Sequence, residues 1–139
     1  MTHKADDSFF EKKKSWSKRK DEILGCYLTA YLPKIMTVGK PVLIVDGFSG
    51  PGRFQDGSDG SPLIIQNCIY QTNRKNLNSP QRCELWCIEK TDSLYESLSK
   101  NLKGVAFAKT FHGTFASYSD LIADASKSHS VFLYVSFYG

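Results

Sequence analysis

A chain of 139 residues, with 41% hydrophobic and 23% charged residues, has room for one globular core and no second. The longest apolar runs, PVLIV and VFLYV, are far too short to cross a bilayer, and the charged start MTHKADDSFFEKKKSWSKRK lacks the apolar centre of a secretory signal. A cytosolic protein without membrane attachment is therefore the expectation. The net charge is +4, and Lys12, Lys13, Lys14, Lys18, Arg19 and Lys20 fall within nine positions. Such a cluster suits nucleic-acid phosphates, or else forms a solvated helix face balanced in part by Glu11, Asp21 and Glu22.

Residues 16–36 carry Trp16, Ile23, Leu24, Tyr27, Leu28, Tyr31, Leu32 and Ile35 at helical spacing, so a helix is expected there, bent or ended by Pro33 and stopped at Gly39-Lys40-Pro41. Residues 42–45 are a continuous apolar β-branched run, as in a strand buried on both faces. A loop rich in glycine follows. Ser61 then reads as an N-cap and Pro62 as the first turn of a helix carrying Leu63, Ile64, Ile65, Cys68 and Ile69.

A polar connector, QTNRKNLNSPQR, leads to a second strand at 83–88. Residues 91–102 form an amphipathic pattern with Leu94, Leu98 and Leu102 on one stripe, closed by Gly104. A third strand is expected at 105–111, a third crossover helix at 115–125 and a fourth strand at 131–135. Helix followed by β-α-β-α-β-α-β implies an α/β fold, a Rossmann-like open and mainly parallel sheet. The division is an N-terminal helical segment, 1–41, and the sheet domain, 42–139. Cys26, Cys68, Cys83 and Cys87 contain no CxxC pair, and His3, His112 and His129 lack ligand spacing, so buried free thiols are expected and no metal site is.

The stretch VDGFSGPGRF follows the first strand. Open parallel sheets bind ligands beyond the carboxyl ends of their strands, which raises this loop above a generic glycine turn without removing that alternative. Neither GxGxxG nor GxxxxGK[ST] is present, which removes most of the case for NAD or ATP. The spacing Asp46, Phe48, Gly50, Gly52 suits S-adenosylmethionine, which has a cationic sulfonium, a zwitterionic methionyl end and no phosphate, and needs close backbone approach. Glu89 ends the second strand, where a carboxylate can accept hydrogen bonds from both ribose hydroxyls; the alternative is a surface residue paired with Lys90.

VDGFSGPGRF, GSPL and IEK, behind FFEKKKSWSKRKDEILGCYLTAYLPKI, resemble the three-Cys-motif partner (TcmP) family over nearly the whole chain. The resemblance implies a class I methyltransferase fold, with Asp46, Gly47, Phe48, Gly50 and Gly52 in the cofactor loop, Glu89 on the ribose, and a separate three-Cys-motif protein as partner. Two positions depart from the family pattern. Gly113-Thr114-Phe115 stands where G-D-F is usual, leaving Thr114 to offer a hydroxyl near the adenine. Ser136-Phe137-Tyr138-Gly139 stands where D-P-[FY]-G is usual; Ser136 can still accept or donate one bond to a target amine and Tyr138 can stack on its base. Four strands are fewer than such a fold carries, so the chain reads as a fragment of a longer protein.

Three functions follow. The first is methyl transfer from S-adenosylmethionine to a nitrogen, with a nucleic acid as one candidate acceptor, helped mainly by positioning. The second is a non-catalytic module that holds the cofactor or a partner. The third is a nucleic-acid-binding domain without a cofactor.

Overall fold

The computed structural model describes residues 15–75 and 82–135, with side chains from residue 18 onward. Helix α1 (Ser15–Ile35) runs into a 3-10 turn (Met36–Val38) and ends at Gly39, which adopts a left-handed φ of 94°. Its buried stripe is Asp21, Leu24, Leu28, Leu32 and Met36, a regular i, i+3, i+4 series. The stripe is narrower than the sequence suggests, because Ile23 and Tyr27 are 63% and 50% exposed. Pro33 neither stops nor shortens the helix; it sits inside it, with two residues still to follow.

Strand β1 (Val42–Asp46) is buried at every position. Helix α2 (Ser61–Lys75) follows the glycine loop, then β2 (Cys83–Glu89), α3 (Asp92–Asn101), β3 (Ala108–His112), a 3-10 turn (Ala116–Tyr118), α4 (Ser119–Ala125) and β4 (Ser130–Tyr134). The expected connector after α2 is shorter than QTNRKNLNSPQR, because the helix continues to Lys75; Thr72 is buried and its hydroxyl donates to the Cys68 carbonyl at 2.8 Å. Strand β3 starts three residues later than expected, since Val105 N–H donates to Leu102 O and Ala108 N–H to Val105 O, which holds 105–107 in a turn. The third crossover is a 3-10 turn plus a short helix, not one helix from Phe115.

The sheet is open and wholly parallel, in the order β3-β2-β1-β4. The architecture is α/β, and the strand order 3-2-1-4 is consistent with a Rossmann-like sheet. Helices α2 and α3 join β1 to β2 to β3 and lie on one face with α1; α4 returns the chain to the far side of β1 and lies on the other face. Two apolar layers result, as right-handed crossovers require. Val42, Ile44, Cys83, Leu85 and Cys87 pack against α1, α2 and α3. Leu43, Val45 and Ile88 pack against Ile122, with Trp86, Phe111, Phe115 and Tyr118 around them.

The three buried thiols, Cys68, Cys83 and Cys87, are free and belong to the first layer, whereas Cys26 is exposed. Burial pushes the Cys83 thiol up to about 11 and Cys87 well above its usual range. No group of metal-binding side chains occurs among the described residues. No described helix is long and apolar enough to cross a membrane. The two sheet edges differ: β3 carries exposed Lys109 and His112, while β4, SVFLY, is uncharged and leaves Leu133 49% exposed. Phe132 of β4 packs against Tyr27 and Tyr31 of α1, with ring centroids 5.6 and 5.4 Å away.

Removing the Leu28 side chain should cost about 2–5 kcal/mol, because it is fully buried between α1 and the sheet. Ile23→Ala should stay within about 0.5 kcal/mol. Urea unfolding of the two variants checks which positions form the working face of α1.

Candidate functional site

The order β3-β2-β1-β4 makes the carboxyl end of β1 the place where the chain changes direction across the sheet, and the crevice there is the expected ligand position. The loop after β1 is tied to both neighbouring strands. Gly47 N–H donates to Tyr134 O of β4, and Ser49 N–H donates to Ile88 O of β2, each at 3.0 Å. Gly50 and Gly52 have φ of 66° and 84°, left-handed conformations that disfavour any side chain. Asn101 Nδ2 of α3 donates to Pro51 O at 2.7 Å, and a Cβ on Gly52 would lie 3.5 Å from both Leu98 Cδ1 and Asn101 Cβ. Such a Cβ would make only ordinary contact with α3, so it is the left-handed backbone that calls for glycine here.

Glu89 is 1% exposed, which excludes the surface ion-pair alternative. Its Oε1 accepts from Gly50 N–H at 2.7 Å and its Oε2 from Thr91 N–H at 3.0 Å, while its own carbonyl accepts from Gly113 N–H at 3.0 Å. One carboxylate thus fastens the glycine loop and the start of α3, and its backbone fastens the turn after β3. Charge-assisted bonds of this kind are the stronger class of hydrogen bond.

Asp46 is fully buried at the end of β1. Its Oδ2 accepts from Ser61 Oγ at 2.6 Å. Ser61 therefore begins α2 without capping it; its hydroxyl is diverted to Asp46, and the helix starts with Ile64 N–H donating to Gly60 O instead. The other oxygen, Oδ1, is buried with no hydrogen-bond partner. Burial pushes the Asp46 carboxyl up to about 7, against the pull of the Ser61 hydroxyl and the nearby Phe48 N–H; Asp21 and Glu89 add like-charge repulsion. Asp21, which the sequence places on a solvated face, is 8% exposed and belongs to this acidic surrounding.

Gly47, Phe48, Ile88, Glu89, Lys90, Gly113, Thr114 and Phe115 line a small hollow of about 10 Å³ at the ends of β1, β2 and β3. Thr114 lies on it, and its hydroxyl is engaged in its own turn, accepting from Ser117 N–H at 3.1 Å and donating to Ser117 Oγ at 3.1 Å. Phe48 and Phe115 face one another with centroids 6.4 Å apart. Phe115 carries no polar group; although it stands in Gly113-Thr114-Phe115, only Thr114 of that stretch offered a hydrogen-bonding side chain to select.

Of the other expected site residues, Lys18 and Arg19 are exposed on the first turns of α1 and Lys20 is half-buried. Lys18 lines a broad groove between α1 and α2 together with Asp21, Glu22 and Asp59, so acidic groups surround it there. Lys12, Lys13, Lys14, Ser136 and Tyr138 lie outside the described residues. No protein-family model matches the chain, and no curated protein matches it.

The raised Asp46 carboxyl links stability to pH. Between 3.8, its ordinary value, and about 7, the folded state holds a proton that the unfolded state has released. Stability from this group is present below that window and is lost as pH rises through it, by at most about 4 kcal/mol. Asp46→Asn, which retains an acceptor for Ser61, should flatten the fall of melting temperature between pH 5 and pH 8. An unchanged slope in this variant would remove Asp46 as its source.

Proposed function

We propose that the chain binds S-adenosylmethionine at the carboxyl ends of β1 and β2, as the N-terminal part of a class I methyltransferase-like domain related to the three-Cys-motif partner family. The observation that carries this reading is Asp46 Oδ1, a buried oxygen without a partner at the crossover point of the sheet, beside a glycine loop. A carboxylate held near neutral pKa by burial gains most from a cation placed next to it. The ammonium and sulfonium of the cofactor supply such charge. A nucleotide phosphate would instead add repulsion to Asp46, Glu89 and Asp21.

The chain's own groups would divide the work as follows. Glu89 keeps the glycine loop at a fixed height above β1 and is the carboxylate proposed to meet a ribose diol. Asp46 supplies negative charge under the methionyl end, and Ser61 orients that carboxylate. Gly47, Gly50 and Gly52 supply backbone in place of side chains. The cofactor, when bound, would supply the electrophilic methyl group. Ser136 and Tyr138 are the residues proposed to orient a target amine, with a nucleic acid as candidate acceptor.

The engaged Thr114 hydroxyl favours a second reading, a methyltransferase-like module that holds the cofactor or a partner without turnover. Both readings require binding. Calorimetry with S-adenosylmethionine and S-adenosylhomocysteine should give one site per chain, weakened about tenfold or more, or about 1.4 kcal/mol, in Asp46→Ala and in Glu89→Ala. Thermal melts run alongside separate lost binding from lost folding. Absence of binding by the folded protein would sink the cofactor assignment; binding untouched by both substitutions would sink the residue roles.

A further inference from the structure

The hollow beside Glu89 is smaller than its ligand. At about 10 Å³, room for a single water, it falls far below the roughly 300 Å³ at which ordinary ligand sites begin, and a nucleoside does not fit inside it. The missing space has an identifiable occupant. A Cβ placed on Gly47 would lie 2.8 Å from Phe115 Cδ1 and 3.3 Å from Cγ and Cε1, so the Phe115 ring rests on the glycine backbone itself. The bare surface that the glycine loop would offer a ligand is covered by a side chain of the same protein. Phe48 closes the stack from beside it.

We propose that Phe115 is a gate: it occludes the nucleoside end of the cofactor site and must swing off Gly47 before a ligand can enter. This inference rests on the cofactor reading above. The ring is only half-buried, so it has a path outward. The turn that bears it is built to move as a unit. Thr114 and Ser117 are bonded mainly to each other: Ser117 N–H and Oγ donate to Thr114 O at 3.2 and 2.7 Å. These bonds are exposed, as is that from Tyr118 Oη to His112 O at 2.8 Å, and exposed bonds open at low cost. Gly113 joins the turn to β3 with φ of 153°, and a Cβ there would meet Tyr118 Cε2 at 2.9 Å, so the hinge position accepts only glycine without rearrangement.

The gate has its own reporter. Phe115 and Tyr118 belong to the same apolar layer as Trp86, through Phe111, whose ring lies 5.2 Å from Trp86 and 5.1 Å from Tyr118. With Trp16→Phe as the background, Trp86 is the sole tryptophan. Stopped-flow fluorescence with S-adenosylhomocysteine should then give an observed rate that saturates with ligand concentration, the mark of an opening step before binding. Phe115→Ala should remove the saturation and speed association about tenfold, as expected when the competent fraction no longer limits binding. Phe115→Leu, which keeps more of the packing, should fall between, and melts of both variants establish that they fold. Equal association rates in parent and variants would overturn the gate and leave the cofactor reading standing. Slower association or weaker binding in both variants would also overturn it, making Phe115 a contact to the ligand. No binding by the folded parent would remove the cofactor reading and the gate together.

Discussion

The site depends on one buried carboxylate placed where three segments meet. Glu89 ends a strand that runs two residues past its neighbour, since Asp46 of β1 pairs with Cys87 of β2. That overhang lifts Glu89 to the level of the glycine loop, within 2.7 Å of Gly50 N–H, while its second oxygen turns to Thr91. Backbone donors in a tight glycine turn have no regular partner, and a buried donor left unpaired is expensive. The carboxylate removes that cost at two places at once. The same residue that would meet a ligand therefore holds the loop together before any ligand arrives.

Asp46 shows the opposite economy. Only one of its oxygens is satisfied, and its proton affinity is raised by burial among other acids. Proteins keep such an arrangement where surrounding structure over-determines it, and sites of function are where it concentrates. Glu89 is stabilising and Asp46 strained, yet they stand at the ends of adjacent strands. A loop fastened by Glu89 thus stands beside one unsatisfied oxygen of Asp46.

Much of this was legible before the fold was seen. Residues 42–45 of β1 are apolar because both faces of the strand are covered, and short apolar runs set between stretches of helical spacing marked the β-α-β order. From strand ends alone, Asp46 and Glu89 could be placed at the carboxyl edge of a parallel sheet. What stayed hidden was decided by side chains far apart in sequence. Ser61 looks like an N-cap until Asp46 takes its hydroxyl. Asp21 reads as one more surface charge beside Lys20 and Glu22, but it falls on the helix stripe that faces the sheet. Phe115 resembles any apolar residue opening a helix; only the packing of two segments nearly seventy residues apart lays it on Gly47. The late start of β3 has the same origin, in a turn whose bonds local pattern does not reveal.

The unequal edges of the sheet bear on how the protein associates as it folds. Exposed Lys109 and His112 mark the β3 side, and a strand bringing charge there must bury or displace it. The β4 side offers an uncharged, apolar backbone ladder to any extended segment. Growth of the sheet by strand addition is thus directional: a segment that joins at β4 extends it, and nothing equivalent is favoured at the other end.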